Sequence, residues 1–375
     1  MFSTIETPRL VLDKARLEKN ISRFRDLAAA HNILLRPHLK TSKSLDVAAI
    51  ANGNAKSGVT VSTLKEAEYF SAAGYTDIMY AVGITPNKFA HVKRIADQHK
   101  NNLLLITDNV IVARASADFA EAEQCQMQFL IELDCGESRG GIALDAPELL
   151  EIAQIFDQCP FISFMGVMTH AGHSYTTDDK ERIGEIAEIE RKTVVEAAAR
   201  LAQINIQSEI ISVGSTPTFI FAKSFDGLTE VRAGVYMFFD LAQFSRSICQ
   251  LDEIAISVLA TIIGHAKQSR SLIVDAGAFA LSKDISANTF LPDAGFGYVC
   301  DPVTMERLGQ LSVDTVHQEH GNIRLDDDAW FERLPIGSMV RILPNHACPT
   351  AASFENYLVV ENEAIVTEWQ RVNRW

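Results

Sequence analysis

Between about residue 33 and residue 240 the chain alternates short apolar runs with helical stretches, eight times in succession. That rhythm limits the fold more than any other feature. The strand-like runs are 33–40, 58–62, 77–82, 102–107, 127–134, 164–170, 209–214 and 230–239, with helical segments such as 64–73, 86–98, 146–158 and 179–202 between them. Parallel strands need crossover helices, and eight β-then-α units of roughly 25 residues close into a barrel more readily than they open into a sheet. The expected fold is therefore α/β, a (β/α)8 TIM-type barrel. No residue-level repeat accompanies the period, which excludes a solenoid.

After about residue 245 the texture changes. Segments 255–263, 271–275, 338–343 and 357–367 read as strands separated by irregular loops, which predicts a second, mainly β C-terminal domain. The opening Thr7-Pro8-Arg9-Leu10-Val11-Leu12 is also strand-like, ahead of a helical 13–31. The expected domains are a barrel over 13–245 and a β-domain built from 1–12 and 246–375.

The balance of charge narrows the partners. With 48 acidic and 34 basic residues the formal net charge is −14, a poor match for a polyphosphate backbone, so nucleic acid is not an expected partner. No apolar run reaches the roughly 18–20 residues that span a bilayer, and the start of the chain lacks the basic and apolar pattern of a signal peptide. The six cysteines form no C-x-x-C pair and no regular spacing, as suits a reducing compartment, with the cytoplasm as the expected location.

Polar residues gather where the strands end. Lys40, Ser62, Asp134, His170, Gly214-Ser215 and Tyr236 all fall at or just past the C-terminal ends of their strands, the face on which barrel enzymes carry their chemistry. In Arg36-Pro37-His38-Leu39-Lys40-Thr41, alternation puts Arg36, His38 and Lys40 on the inward face. A lysine desolvated there is expected to be a nucleophilic amine, as a Schiff base requires. In Val213-Gly214-Ser215-Thr216-Pro217-Thr218 a strand meets a capped helix start with a glycine beside it, a candidate anion cradle. In Pro344-Asn345-His346-Ala347-Cys348-Pro349-Thr350 an extended chain would point His346 and Cys348 the same way, roughly 6–7 Å apart. Imidazole with thiolate favours zinc, and two protein ligands leave open coordination positions. Spacing alone also fits plainer readings: a solvated lysine, a capped helix with no ligand and an unligated His-x-Cys. Further polar stretches are 134–141, holding Arg139, 169–175, holding His170, His173 and Tyr175, and 318–321.

In combination these motifs stand in the order of a known family. From Thr7-Pro8 to Pro349-Thr350, and through Asp275-Ala276-Gly277 and Glu319-His320-Gly321 as well, the chain resembles the pyridoxal-phosphate enzymes related to D-serine dehydratase and D-threonine aldolase, kin of alanine racemase. The resemblance implies a barrel plus β-domain, a homodimer, and pyridoxal 5'-phosphate carried on Lys40, the catalytic residue. It implies that Gly214, Ser215 and Thr216 hold the cofactor phosphate and that Arg139 contacts the ring side. It also implies that His170, Tyr175 and Tyr236 belong to cofactor-contacting stretches, and that His346 and Cys348 bind a metal, Zn2+ or another divalent ion. The chain departs from many relatives at Ser42, where histidine is common, and at Ala278-Phe279, where lysine is common.

The activity so implied is that of a pyridoxal-phosphate- and metal-dependent lyase. Its substrate is a D-configured β-hydroxy amino acid, D-serine or 3-hydroxy-D-aspartate, converted to an oxo acid and ammonia. A D-threonine aldolase-like retro-aldol cleavage is the alternative, although that branch often has aspartate where Cys348 stands. An amino-acid racemase would use Lys40 and a second base and would not need the His346/Cys348 metal. A cofactor carrier without turnover is the non-enzymatic reading, and such carriers are typically single barrels.

Overall fold

The computed structural model describes residues 2–53 and 58–375. Two compact units make up the chain: Phe24–Gly234 with Arg374–Trp375, and Met1–Arg23 with Val235–Asn373. The chain opens with β1 (Arg9–Asp13) and the helix Lys14–Ala30. The first turns of that helix go with the second unit, because the Asn20 amide donates to the carbonyls of Met237 and Glu253.

Eight short strands form the barrel: β2 (Leu34–Pro37), β3 (Val59–Val61), β4 (Ile78–Tyr80), β5 (Leu104–Thr107), β6 (Met127–Leu133), β7 (Ile162–Thr169), β8 (Ile210–Val213) and β9 (Glu230–Ala233). They are parallel and hydrogen-bonded in the order β2-β9-β8-β7-β6-β5-β4-β3. That order leaves β2 and β3 as the edges, and one isolated parallel bridge, His38 to Thr60, joins them. There the Leu39 N–H donates to the Thr60 carbonyl at 2.8 Å. Closure removes the unpaired edge that an open sheet would expose.

Register fixes what the barrel interior contains. Pairings Met79↔Leu104, Ile210↔Gly166, Ser212↔Glu230 and Arg36↔Arg232 place alternate residues on the inward face. One side of that interior is apolar, with Met79, Leu104, Ile106, Leu130 and Met168 packed together. The other side is charged. Arg36 Nε donates to Glu230 Oε2 at 2.7 Å, its other nitrogens reach Asp77, and Arg232 donates to Ser212 Oγ and to the Thr169 carbonyl. Outward-facing residues meet the helices, as where Phe129 stacks on Phe156 at 4.6 Å. Side-chain caps from Thr63, Asn109 and Asp179 start the helices Leu64–Ala72, Val110–Glu123 and Lys180–Ala202.

Two barrel strands are shorter than the sequence suggests. The run 33–40 is strand only through Pro37, because residues 39–42 turn at the closing bridge and the Lys43 N–H folds back onto the Leu39 carbonyl. The run 230–239 ends at Ala233, and Tyr236 lies in a 3-10 turn, Val235–Met237, rather than at a strand end. Gly234 marks the break, since a Cβ there would sit 2.8 Å from the His38 carbonyl oxygen.

The second unit is a nine-stranded, mostly antiparallel sheet. It comprises β10 (Ile256–Ala266), β11 (Ser271–Val274), β12 (Gly297–Cys300), β13 (Arg307–Val316), β14 (Gly321–Arg324), β15 (Met339–Pro344), β16 (Asn356–Glu361) and β17 (Ala364–Gln370), together with β1. β1 lies between β10, antiparallel to it, and β16, parallel to it. Segment 357–367, expected as one strand, is the β16–β17 hairpin, reversed at Asn362 and Glu363, both with positive φ. Among the described residues no helix is long and apolar enough to cross a membrane.

Arg36 and Glu230 are each 2% exposed, so removing Glu230 takes away the buried counterion of Arg36 and leaves it only the partly exposed carboxylate of Asp77. Glu230→Ala is expected to cost about 3–5 kcal/mol of unfolding free energy in denaturant titration. A loss no greater than that of an exposed carboxylate would show that the charged half of the interior does not hold the barrel.

Candidate active site

At the C-terminal end of the barrel strands, the turn after β2 presents Lys40. Its side chain is exposed, which corrects the desolvation expected of it. Its backbone N–H points at His38 Nδ1, 3.5 Å away. Among the described residues no carboxylate pairs with Lys40, whereas Lys43 is tied to the buried Glu66 at 3.1 Å.

His170 follows β7 and faces the same charges. Its Nδ1 donates to the Gly214 carbonyl at 2.7 Å, which leaves Nε2 as an acceptor. Burial, and then the nearby cations Lys40, Arg139 and Arg232, push its pKa down to about 3. Burial and the same Lys40 and Arg232, joined by His170, hold His38 well below its ordinary value. Both imidazoles are therefore neutral at physiological pH. Arg139 sits on an exposed loop, 3.4 Å from Glu137. Tyr175 is half-buried in the 3-10 turn Gly172–Thr176, next to Ser174, whose hydroxyl meets that of Ser215 at 3.0 Å.

Gly214 follows β8 with φ +143°, and a Cβ there would lie 2.0 Å from the Arg232 carbonyl oxygen. Only glycine fits that position. Ser215 then caps the helix Thr216–Phe221, exchanging hydrogen bonds with Thr218 in a capping box. The Thr216 hydroxyl is buried and finds no hydrogen-bond partner among the described residues. A buried hydroxyl without a partner, beside a glycine that allows close approach at a helix start, fits an anionic oxygen such as that of a phosphate.

In the second unit, His346 is the extended N-cap of the helix Ala347–Ala352. Cys348 lies within that helix's first turn, so the expected extended chain through both residues is corrected. The two side chains still meet, since the Cys348 thiol hydrogen-bonds the imidazole. His346 Nδ1 is 2.8 Å from Asp284 Oδ2. Burial lowers the His346 pKa, but the hydrogen bonds of Asp284 and Cys348 and the charge of Asp240 outweigh it and carry it up to about 11. Among the described residues no third histidine, cysteine, aspartate or glutamate joins the pair as a metal-binding group. An imidazole and a thiol in contact, with a carboxylate on the ring Nδ1, fit ligation of a zinc-type ion by two protein donors with a supporting hydrogen bond.

The support behind this pair was not foreseen. Asp240 is fully buried and accepts the Gln243 and Ala347 N–H groups, so it fixes the start of the Cys348 helix. Asn345 accepts the Ala287 N–H and donates to Asn288 and to the Gly295 carbonyl, anchoring the loop that carries Asp284. Asp240 has an N-cap signature three residues before Gln243. Asp284 lies 62 residues from His346 in sequence and has no local signal. In the barrel, Arg232 was also missed, although its period-two spacing from Glu230 places it inward. The structure thus gathers Lys40, Arg139, His170, Gly214, Ser215 and Thr216 in the barrel unit. It pairs His346 with Cys348 in the other unit, where Tyr236 is also fully buried.

Residues 12–242 match the family described as "Alanine racemase, N-terminal domain", and residues 255–360 match the "Putative serine dehydratase domain". The D-threo-3-hydroxyaspartate dehydratase of Delftia sp. (strain HT23) is 41% identical over 99% of this chain and 98% of its own. The D-serine dehydratase of Dictyostelium discoideum is 28% identical over 100% and 98%. A solved structure of D-threo-3-hydroxyaspartate dehydratase, a cysteine-to-alanine mutant in the metal-free form, superposes with a TM-score of 0.95 at 40% identity, covering 100% of this chain and 99% of that one.

The depressed histidines set a pH dependence. A histidine whose folded pKa lies below its unfolded value of about 6.5 contributes stability above that pH and loses it as the pH falls toward the folded value. Denaturant unfolding of the cofactor-free protein is therefore expected to show stability falling below about pH 6.5, by up to about 1.4 kcal/mol per pH unit for each of His38 and His170. His170→Gln should flatten that acid limb. An unchanged limb would mean that His170 titrates normally in the folded chain.

Proposed function

This chain belongs to the alanine racemase-like family of D-serine dehydratases and D-threonine aldolases, and from that membership we propose that it is a pyridoxal-phosphate- and metal-dependent lyase. Its substrate is a D-configured β-hydroxy amino acid, D-threo-3-hydroxyaspartate or D-serine, dehydrated to an oxo acid and ammonia. The observation that carries the reading is the His346–Cys348 contact with Asp284 behind it. This pairing of donors supports a Lewis-acidic metal at a leaving hydroxyl, and it stands in a chain 41% identical to a D-threo-3-hydroxyaspartate dehydratase.

Pyridoxal phosphate supplies an electron sink for the electrons released at Cα. Thr216 and Ser215 hold its phosphate, the Cβ-less Gly214 lets the anion come close, and Lys40 carries it. Lys40 suits that role because it is unpaired and exposed at the strand end, while Lys43 is held by Glu66. The Lys40 amine, when free of the cofactor, would be placed to take the Cα proton. Neutral His170 and exposed Arg139 flank the site without competing for that proton. Zinc, or another divalent ion on His346 and Cys348, supplies polarisation of the β-hydroxyl. Binding it requires the proton held by His346 to leave. The six cysteines are all unbridged, which supports a reducing, cytoplasmic location, and the family resemblance supports a homodimer.

Borohydride reduction of the loaded enzyme followed by peptide mapping is expected to place a pyridoxyl label on Lys40. A label on Lys43, or on no lysine, would overturn the assignment.

The metal assignment is tested on the products. The wild type is expected to release ammonia and oxo acid from D-threo-3-hydroxyaspartate, D-serine or both, with no glycine or aldehyde. Cys348→Ala should abolish ammonia release while leaving exchange of the Cα proton with solvent deuterium largely intact, because that exchange rests on Lys40. Glycine among the wild-type products would favour the retro-aldol reaction. Full ammonia release from a zinc-free Cys348→Ala would sink metal-assisted elimination.

A further inference from the structure

Glu190 lies in the middle of the long helix Lys180–Ala202 and is 1% exposed. Burying a carboxylate costs several kcal/mol unless it is paired or well hydrogen-bonded, so its partners say what it is for. A single oxygen, Oε1, accepts two backbone N–H groups, those of Ala171 and Gly214, each at 3.0 Å. Ala171 directly follows His170 at the end of β7, and Gly214 directly follows the end of β8. The Thr218 hydroxyl also bonds this carboxylate, and buried Arg232 balances its charge.

These contacts grip Gly214 from both sides. Glu190 holds its N–H, and His170 Nδ1 holds its carbonyl at 2.7 Å. A third link, Ser174 to Ser215, ties the same two loops together. Because Glu190 takes the Gly214 N–H, that amide points away from any anion in the cradle. Among the described residues, a buried side-chain donor left open there is the Thr216 hydroxyl. A carboxylate on the far side of an anion site would repel the anion, so its presence there calls for a compensating role.

We propose that Glu190 is the positioning residue of the cofactor cradle. By gripping the Ala171 and Gly214 amides with one oxygen, it sets the His170 ring and the Gly214–Thr216 loop in a single register, and so governs how tightly and in what orientation pyridoxal phosphate is held without touching it. This rests on the reading of that strand end as the pyridoxal-phosphate site.

Cofactor-free wild type, Glu190→Gln and Glu190→Ala are titrated with pyridoxal phosphate, following its visible absorbance and induced circular dichroism. Glu190→Ala is expected to lose about ten- to a hundredfold in affinity, the range typical for loss of a support behind a ligating group, with weakened dichroism from the fraction that binds. Glu190→Gln keeps an oxygen that can accept both amides and should restore affinity and dichroism to near wild type. A merely structural carboxylate would not predict a change in the dichroism per bound cofactor. Normal affinity and dichroism in Glu190→Ala would overturn the proposal. No uptake by the wild type would instead overturn the cofactor site itself. If Glu190→Ala does not fold, hydrogen exchange in cofactor-free wild type carries the test. The Ala171 and Gly214 amides should be strongly protected before any cofactor is added, and exchange as fast as that of neighbouring loop amides would refute the grip.

Discussion

The barrel depends on one join. Seven of its eight neighbour pairings are strand ladders, and the eighth is the single bridge between His38 and Thr60. Without that bridge the sheet has two free edges, and Arg36, Glu230 and Arg232 lie on an open surface. With it they are enclosed, and enclosure is tolerable only because each charge finds a partner across the pleat. The same join sets the chemistry, because the chain must leave the sheet immediately after His38. The turn that follows lifts Lys40 out of the ladder and into the open at the strand end.

The second unit solves a different problem with the same kind of contact. A metal site with two protein donors needs those donors fixed in direction, since few ligands constrain the ion. His346 lies beyond the end of β15 and Cys348 in a short helix, elements with little rigidity of their own. Asp240 and Asn345, both fully buried, supply what is missing by binding backbone amides of the segments that carry the donors and their partner Asp284. In both units a buried side chain on one segment therefore holds the main chain of another, where a cofactor or metal would require precision.

What the sequence made legible follows the range of the interactions. Strand and helix periodicity is local, so the eight barrel strands, the helices between them and the strand-end placement of Lys40, His170 and Gly214 could be read directly. β1 could be assigned to the distant sheet because its run is strand-like and terminal segments often join a distant sheet. The strands β12, β13 and β14 escaped notice because two are only four residues long and Gly, Asn and charged residues interrupt the alternation. The expectation that Lys40 would be desolvated failed because period two says which face a residue shares but not where the ladder stops. The stop is set by Thr60 on another strand. Asp284 behind His346 was invisible for the same reason. Its partner lies 62 residues away, and a lone aspartate in a loop carries no pattern.

Two histidines show how far environment, rather than residue type, fixes chemistry. His170 and His346 are each substantially covered, and for both the desolvation of the charged form lowers the pKa. They end on opposite sides of neutrality because of what faces them. His170 meets Lys40, Arg139 and Arg232, the Gly214 carbonyl alone does not repay the cost of a proton, and the ring stays neutral, a donor at Nδ1 and an acceptor at Nε2. His346 meets Asp284, Cys348 and Asp240, and these outweigh burial. On the proposed reading, a neutral ring beside Lys40 adds no charge where that amine would give up and regain a proton. A ring in an anionic donor set is prepared for a cation, whether that cation is a proton or a metal ion. The proton therefore marks the place a metal would take, and the two must compete for it.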